Sequence, residues 1–244
     1  MLNEIGKEFM DKTKFQYAER SDQSMGYPQP PLQKGAGGRE VIELPEPGAL
    51  NVKNIDLREA IEGRSSFRNF SPEQLSLGEL SYLLWCTQGV RELMGNAATL
   101  RNVPSAGARH ALETYILVNN VEGFEEGIYL FLPIEHKLAK IKTGSFVAEN
   151  ITVACLDQSF IRSSAVTFIW TAVIYRMKWR YGERGYRYIN LDAGHVCQNL
   201  YLSAQSIDCG VCAIGAFFDD ELNAVLGIDG EDEFVIYIAT VGKK

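Results

Sequence analysis

The sequence predicts an α+β layer built around a central, mostly antiparallel sheet flanked by helices. Two features carry that expectation. Segments of helical period interleave with short strand-like runs, without the regular strand–helix–strand repeat that builds a parallel sheet. The 244 residues are also 46% hydrophobic and 23% charged, an ordinary globular balance in a chain long enough to bury a substantial core.

Taken in order, residues Leu2 to Lys12 spell a short amphipathic helix, followed by a polar stretch through Asp22. Tyr27-Pro-Gln-Pro-Pro31 and Gly35-Ala-Gly-Gly38 then open a Pro/Gly-rich run that ends at Pro47-Gly48. Such a composition builds no core and reads as an extended arm lying over a surface. It fits a clasp on a partner subunit and a loose terminus equally well. Residues 1–55 are therefore expected to form a helix and arm, and residues 56–244 the compact domain.

Asp56-Leu-Arg-Glu59 and Ser76-Leu-Gly-Glu79 each place an N-cap residue three positions before a carboxylate, so each opens a helix. Tyr115 to Val118, Gly127 to Leu132 and Leu138 to Ile141 read as strands separated by turns. Ala165 to Tyr175 reads as a buried strand and Arg184 to Ser206 as a long helix. Gly210 to Phe217 is a further buried strand, Asp219 to Leu226 a short helix closed by Gly227, and Phe234 to Val241 a last strand.

Composition narrows the function classes. A net charge of -7 disfavours nucleic acid and anionic membrane as partners, so an anionic ligand needs a local basic pocket. The longest apolar run, Ala165 to Tyr175, is too short to span a bilayer, and the cytosol is the expected compartment. The five cysteines are odd in number and lie mostly in apolar runs. Cys209-Gly-Val-Cys212 has redox or zinc spacing but no companion ligand cluster, so buried structural thiols and no metal are expected.

Three patterns carry chemistry. Arg64-Ser-Ser-Phe-Arg68 follows the first capped helix, and two guanidiniums with two hydroxyls at that spacing can surround one phosphate. A solvated turn with surface arginines explains it as well. Pro104-Ser-Ala-Gly-Ala-Arg-His110 lets backbone approach a flat ligand, or simply makes a tight loop before a strand. Gly210 to Phe217 ends in small residues where main chain can meet a ring system, or where strands pack closely. No Walker or dinucleotide-binding glycine motif is present.

Together with Arg184-Gly-Tyr-Arg-Tyr188, Gly194-His-Val-Cys-Gln-Asn199 and Cys212-Ala-Ile-Gly215, these patterns in this order resemble the nitroreductase-like flavoproteins. Within that superfamily they are most similar to the SagB-type branch, the dehydrogenases of azoline oxidation in peptide natural-product pathways. The resemblance runs from Asp56 to the C-terminus and implies FMN held non-covalently at a homodimer interface. By it, Arg64, Ser65, Ser66 and Arg68 hold the phosphate and ribityl end, and Lys243 closes the phosphate site. Pro104, Ser105, Ala106 and Gly107 of the other subunit face the ring, and Ile214 and Gly215 put backbone near its reactive edge.

The helix from Arg184 is the expected dimer element. His195 upon it fits a hydrogen-bonded packing histidine better than a catalytic one, and Tyr186, Tyr188 and Tyr201 fit packing better than a cofactor box. The resemblance also shows a departure. Azoline-oxidising relatives carry Lys-Tyr where this chain has Arg180-Tyr181, and arginine is a poor general base. Tyr181 is left as the candidate proton donor, with Arg180 binding an anionic group and Lys178 displaced by two positions.

The leading expectation is thus an FMN oxidoreductase. It would move hydride between NAD(P)H, a small molecule or a peptide and a second acceptor. A non-catalytic flavin-binding component of a peptide-modifying complex is the rival. An enzyme of some other phosphorylated metabolite would use the Arg64–Arg68 cluster alone.

Overall fold

A computed structural model describes residues 4–144 and 146–244. Seven strands form one sheet in the order β1-β6-β5-β4-β7-β9-β8, and every neighbouring pair is antiparallel. They are β1 (Val41–Glu43), β4 (Leu112–Val118), β5 (Gly127–Leu132), β6 (Lys137–Thr143), β7 (Val166–Val173), β8 (Cys209–Ile214) and β9 (Glu233–Lys243). A separate hairpin pairs β2 (Val90–Met94) with β3 (Ala98–Arg101). The helices are α1 (Ile5–Lys12), α2 (Leu57–Gly63), α3 (Leu77–Gln88), α4 (Phe146–Ala154), α5 (Phe160–Ser163), α6 (Ile174–Tyr181), α7 (Gly185–Gln205) and α8 (Asp219–Leu226).

Side chains alternate across the sheet and feed two cores. Ile116, Phe168 and Trp170 face one way, onto Leu80, Leu83 and Leu84 of α3 and Ile189, Val196 and Leu200 of α7. Tyr115, Leu117, Ile169 and Ile238 face the other, onto Val147 and Ile151 of α4 and Leu222 and Leu226 of α8. Burial on both faces explains why β4 and β7 read as continuous apolar runs.

The caps behave as their chemistry requires. Ser76 Oγ accepts from Glu79 N at 3.2 Å while Ser76 N donates to Glu79 Oε2 at 2.9 Å, a reciprocal capping box. Asp56 caps α2 more simply, accepting from Arg58 N at 2.8 Å. Gly227 ends α8 in the left-handed region at φ +72°.

One local expectation changes. The buried strand from Ala165 stops at Val173, and Ile174 begins α6, so Tyr175 is helical. The helix was hidden because its charged Arg176 points inward: its Nη2 donates to Glu113 Oε1 at 2.5 Å, both side chains being almost fully buried. The arm lies over its own chain. Trp179 Nε1 donates to Tyr27 O at 3.0 Å, and Lys34 N donates to Glu113 Oε1 at 2.6 Å. Lys34 Nζ reaches Tyr115 Oη at 2.8 Å and pairs with Glu233, and β1 then adds the sheet's outermost strand beside β6.

Candidate functional site

After α2 the chain runs beside the sheet edge at β8, through a parallel bridge from Ser66 to Val211 and a 2.8 Å bond from Phe67 N to Val211 O. The close approach depends on Gly210, where a Cβ would fall 2.3 Å from the Phe67 ring. Ser66 Oγ lies 3.2 Å from Tyr201 Oη, which accepts the Ala213 N–H at 2.9 Å. The Arg64 guanidinium sits 5.3 Å from the Tyr201 ring centre, and that of Arg68 lies 5.6 Å from the Phe160 ring. Arg68 also reaches Cys212 electrostatically, pulling its thiol pKa down against the larger upward push of burial. Arg64, Ser65, Ser66, Arg68, Ile214 and Gly215 are thus gathered at one sheet edge.

The donors there are free to meet an anion. Among the described residues, only Arg58, Arg162 and Arg176 of the arginines lie within 4.0 Å of a carboxylate. Ser65 and Ser66 are exposed, and a Cβ on Gly215 would meet nothing within 4 Å. Two guanidiniums free of carboxylates, exposed serines and open backbone suit a phosphate carrying a flat ring system. Lys243 is placed differently. Its Nζ donates to Glu79 Oε1 at 2.5 Å and to Ile207 O at 3.2 Å, so it is engaged with α3 and the end of α7.

Pro104 to Gly107 lead into the far end of β4. Ala106 N donates to Asp192 Oδ1 at 3.2 Å, and His110 N to Ser105 Oγ at 2.9 Å. Asp192 Oδ2 is buried without a partner among the described residues, and burial pushes this carboxyl up. Gly107 adopts φ +59°, and a Cβ there would fall 2.4 Å from Tyr181 Oη and 2.8 Å from Arg180 Nε. The loop and the Arg180-Tyr181 pair therefore form one contact. Tyr181 packs edge-on against Tyr188 at 4.8 Å, while Lys178 is turned away to Glu183 at 2.8 Å.

These two groups do not meet within one chain. Ile214 pairs with Ile238, Ile238 with Ile169 and Ile169 with Tyr115, and Leu112 lies three residues beyond Tyr115. Three strand spacings across and three residues along place Ile214 and Leu112 on the order of 17 Å apart.

Sequence reasoning missed two contributors. Tyr201, read as packing, bridges Ser66 and the β8 backbone, and nothing in its spacing marked that role. Asp192 did carry a signal, as a carboxylate on the buried flank of α7 between Ile189 and Val196. His195 is exposed in the single chain and makes no hydrogen bond within it among the described residues. The cysteines are free thiols, with Cys209 pushed up to about 12 by burial, which suits a packing role.

Residues 61–243 match the nitroreductase family model, and the chain belongs to the nitroreductase family. Its α+β architecture is the nitroreductase-like fold. A nitroreductase homologue from Anabaena variabilis superposes with a TM-score of 0.69 at 33% identity, covering 85% of this chain and 42% of the other. The nitroreductase homologue MJ1384 of Methanocaldococcus jannaschii is 36% identical over 203 residues, 83% of this chain and 96% of its own. On the peptide-processing branch that the motif order resembled, the trifolitoxin-processing protein TfxB of Rhizobium leguminosarum bv. trifolii is 30% identical over 166 residues. That match covers 65% of this chain and 44% of TfxB. A Desulfovibrio desulfuricans nitroreductase homologue solved in complex with FMN shares the fold, with a TM-score of 0.54 at 14% identity over 78% of this chain and 87% of that one.

Proposed function

We propose that this chain is a cytosolic FMN-dependent oxidoreductase that works as a homodimer, each site drawing on both subunits. The observation that carries this reading is the division of the site. One half offers uncommitted Arg64 and Arg68, the other offers Gly107 packed on Arg180 and Tyr181, and the sheet holds them apart in one chain. A two-fold partner brings one half of each subunit to the other, as isologous assembly requires.

Arg64, Ser65, Ser66 and Arg68 would hold the FMN phosphate and ribityl chain, with Tyr201 fixing Ser66. Lys243 would join them only by exchanging Glu79 for the phosphate. Ile214 and Gly215 present backbone at the ring, and Pro104, Ser105, Ala106 and Gly107 of the other subunit cover its face. Bound FMN would supply two-electron hydride chemistry, taking hydride from NAD(P)H or from a reduced substrate. Tyr181 holds the proton to be transferred on its hydroxyl, and Arg180 anchors an anionic group of the substrate. Arginine is a poor general base, so Arg180 orients and does not abstract.

Protein purified without added cofactor is expected to show flavin absorption bands that bleach on anaerobic titration with NADH or NADPH. Bands that persist make the enzyme a dehydrogenase reduced by its own substrate, and a colourless protein that cannot be reconstituted overturns the proposal. A second reading, a flavin-binding component of a peptide-modifying complex, is supported by the likeness to TfxB and by arginine at position 180. It predicts saturable peptide binding with no turnover.

A further inference from the structure

Residues 13–25 close over the end of α6. Arg184 Nη1 donates to Thr13 O at 2.7 Å, Tyr175 Oη to Asp22 Oδ2 at 2.9 Å, and Gln23 N to Trp179 O at 2.8 Å. Beside them opens a solvent-facing groove of about 370 Å³, a size suited to a small organic molecule. Two parts of the chain wall it: Phe15, Arg20, Ser21 and Ser24 from the N-terminal stretch, and Arg180 and Tyr181 from α6.

The charge of that wall is lopsided. Arg20, Arg180 and Arg184 line it against a single carboxylate, Glu19. Arg184 is spent on Thr13 O and on Tyr188 Oη, at 2.7 Å each. Arg20 and Arg180 have no carboxylate within 4.0 Å among the described residues, where only three other arginines are so paired. Arg109 stands nearby, its pKa lowered by burial and then by Arg180. In a chain of net charge -7, a groove with two guanidiniums free of carboxylates is a local site for an anion, its Ser21 and Ser24 hydroxyls being engaged with each other's backbone. Phe15 and Tyr181 supply flat apolar surface for whatever carries it.

We infer that this groove binds an organic substrate bearing a carboxylate or phosphate on an aromatic body. Arg20 and Arg180 grip the oxyanion, and the N-terminal stretch serves as a wall of the substrate site. The inference rests on the reading of Tyr181 as part of the reaction site, because Tyr181 faces both this groove and Gly107.

Calorimetric titration of the purified, flavin-carrying protein with benzoate, phenyl phosphate and benzyl alcohol tests it. At least one anion is expected to bind ten-fold or more tightly than benzyl alcohol, and comparing the two distinguishes carboxylate from phosphate. Arg20→Gln is expected to weaken that anion about ten-fold, the loss of one charge-assisted contact, while Arg91→Gln on β2 changes nothing. Anions that bind no better than benzyl alcohol, or binding that ignores Arg20→Gln, overturn the inference. Flavin content, read by absorbance, is a separate measure: anion binding that depends on Arg20 in a flavin-free protein keeps the groove and removes the FMN reading.

Discussion

Gly107 stands where two demands coincide, a left-handed backbone at φ +59° and a neighbouring hydroxyl 2.4 Å from where a Cβ would sit. Gly107→Ala is expected to cost roughly 1–2 kcal/mol for the backbone alone. It must also push Tyr181 and Arg180 aside, so turnover falls further than stability; a urea midpoint beside steady-state kinetics reads both. Tyr181→Phe keeps the ring packed on Tyr188 and removes only the hydroxyl. Its expected outcome is a kcat lowered on the order of 100-fold with bound flavin unchanged, the signature of a lost proton donor. An unaltered kcat would remove Tyr181 from the reaction.

At the scale of elements, the edge of β8 is held by the Ser66–Phe67 segment, and its closeness rests on Gly210. Gly210→Ala forces a methyl into the Phe67 ring at 2.3 Å and is expected to cost roughly 1–3 kcal/mol as overpacking. Adding Phe67→Leu should recover part of that loss in urea denaturation. The single variant should also hold FMN more weakly, because the displaced segment carries Ser66 and Arg68. Helices and strands with local signals were legible in advance: Ser76 and Glu79 start α3, Gly227 ends α8, and β5 spans Gly127 to Leu132 as read. α6 was not legible, because Arg176 and Trp179 on it are buried against partners distant in sequence, Glu113 and the arm carbonyl of Tyr27. The β2–β3 hairpin escaped notice for a related reason: Arg91 to Ala97 are exposed, so no apolar alternation marks them.

For the whole molecule, the divided site makes a strong prediction. On the proposed dimer, Arg64→Ala and Tyr181→Phe protomers, each nearly inactive when paired with its own kind, are expected to regain about a quarter of wild-type activity when mixed and re-equilibrated, since half the dimers are mixed and each carries one intact site. No recovery would place both residues in one chain's site. Stability should also depend on acid in a definite direction. Burial, with Arg101 and Arg109 alongside, pulls His110 down to about 3 in the fold, against an ordinary value near 6.5. Between those values the unfolded chain takes up a proton that the native chain refuses. The stability that His110 contributes is therefore fully present above pH 6.5 and declines, by on the order of 1.4 kcal/mol per pH unit, as the solution is acidified toward pH 3. Urea midpoints across that window should fall less steeply in His110→Gln, and an unchanged slope would contradict the assignment.

By itself the sequence determined what depends on neighbours along the chain: the capped helices, the alternating strands, and the ordered set of motifs from Arg64 to Gly215 that marks the family. Only the tertiary structure decided that Arg64 and Arg68 lie across the sheet from Gly107 and Tyr181, that Lys243 is engaged by Glu79, and that the N-terminal stretch walls a groove with Arg20. The physical reason is that strand order and register set distances between residues far apart in sequence, and burial decides which charges are already paired. Neither leaves a local trace in the order of amino acids.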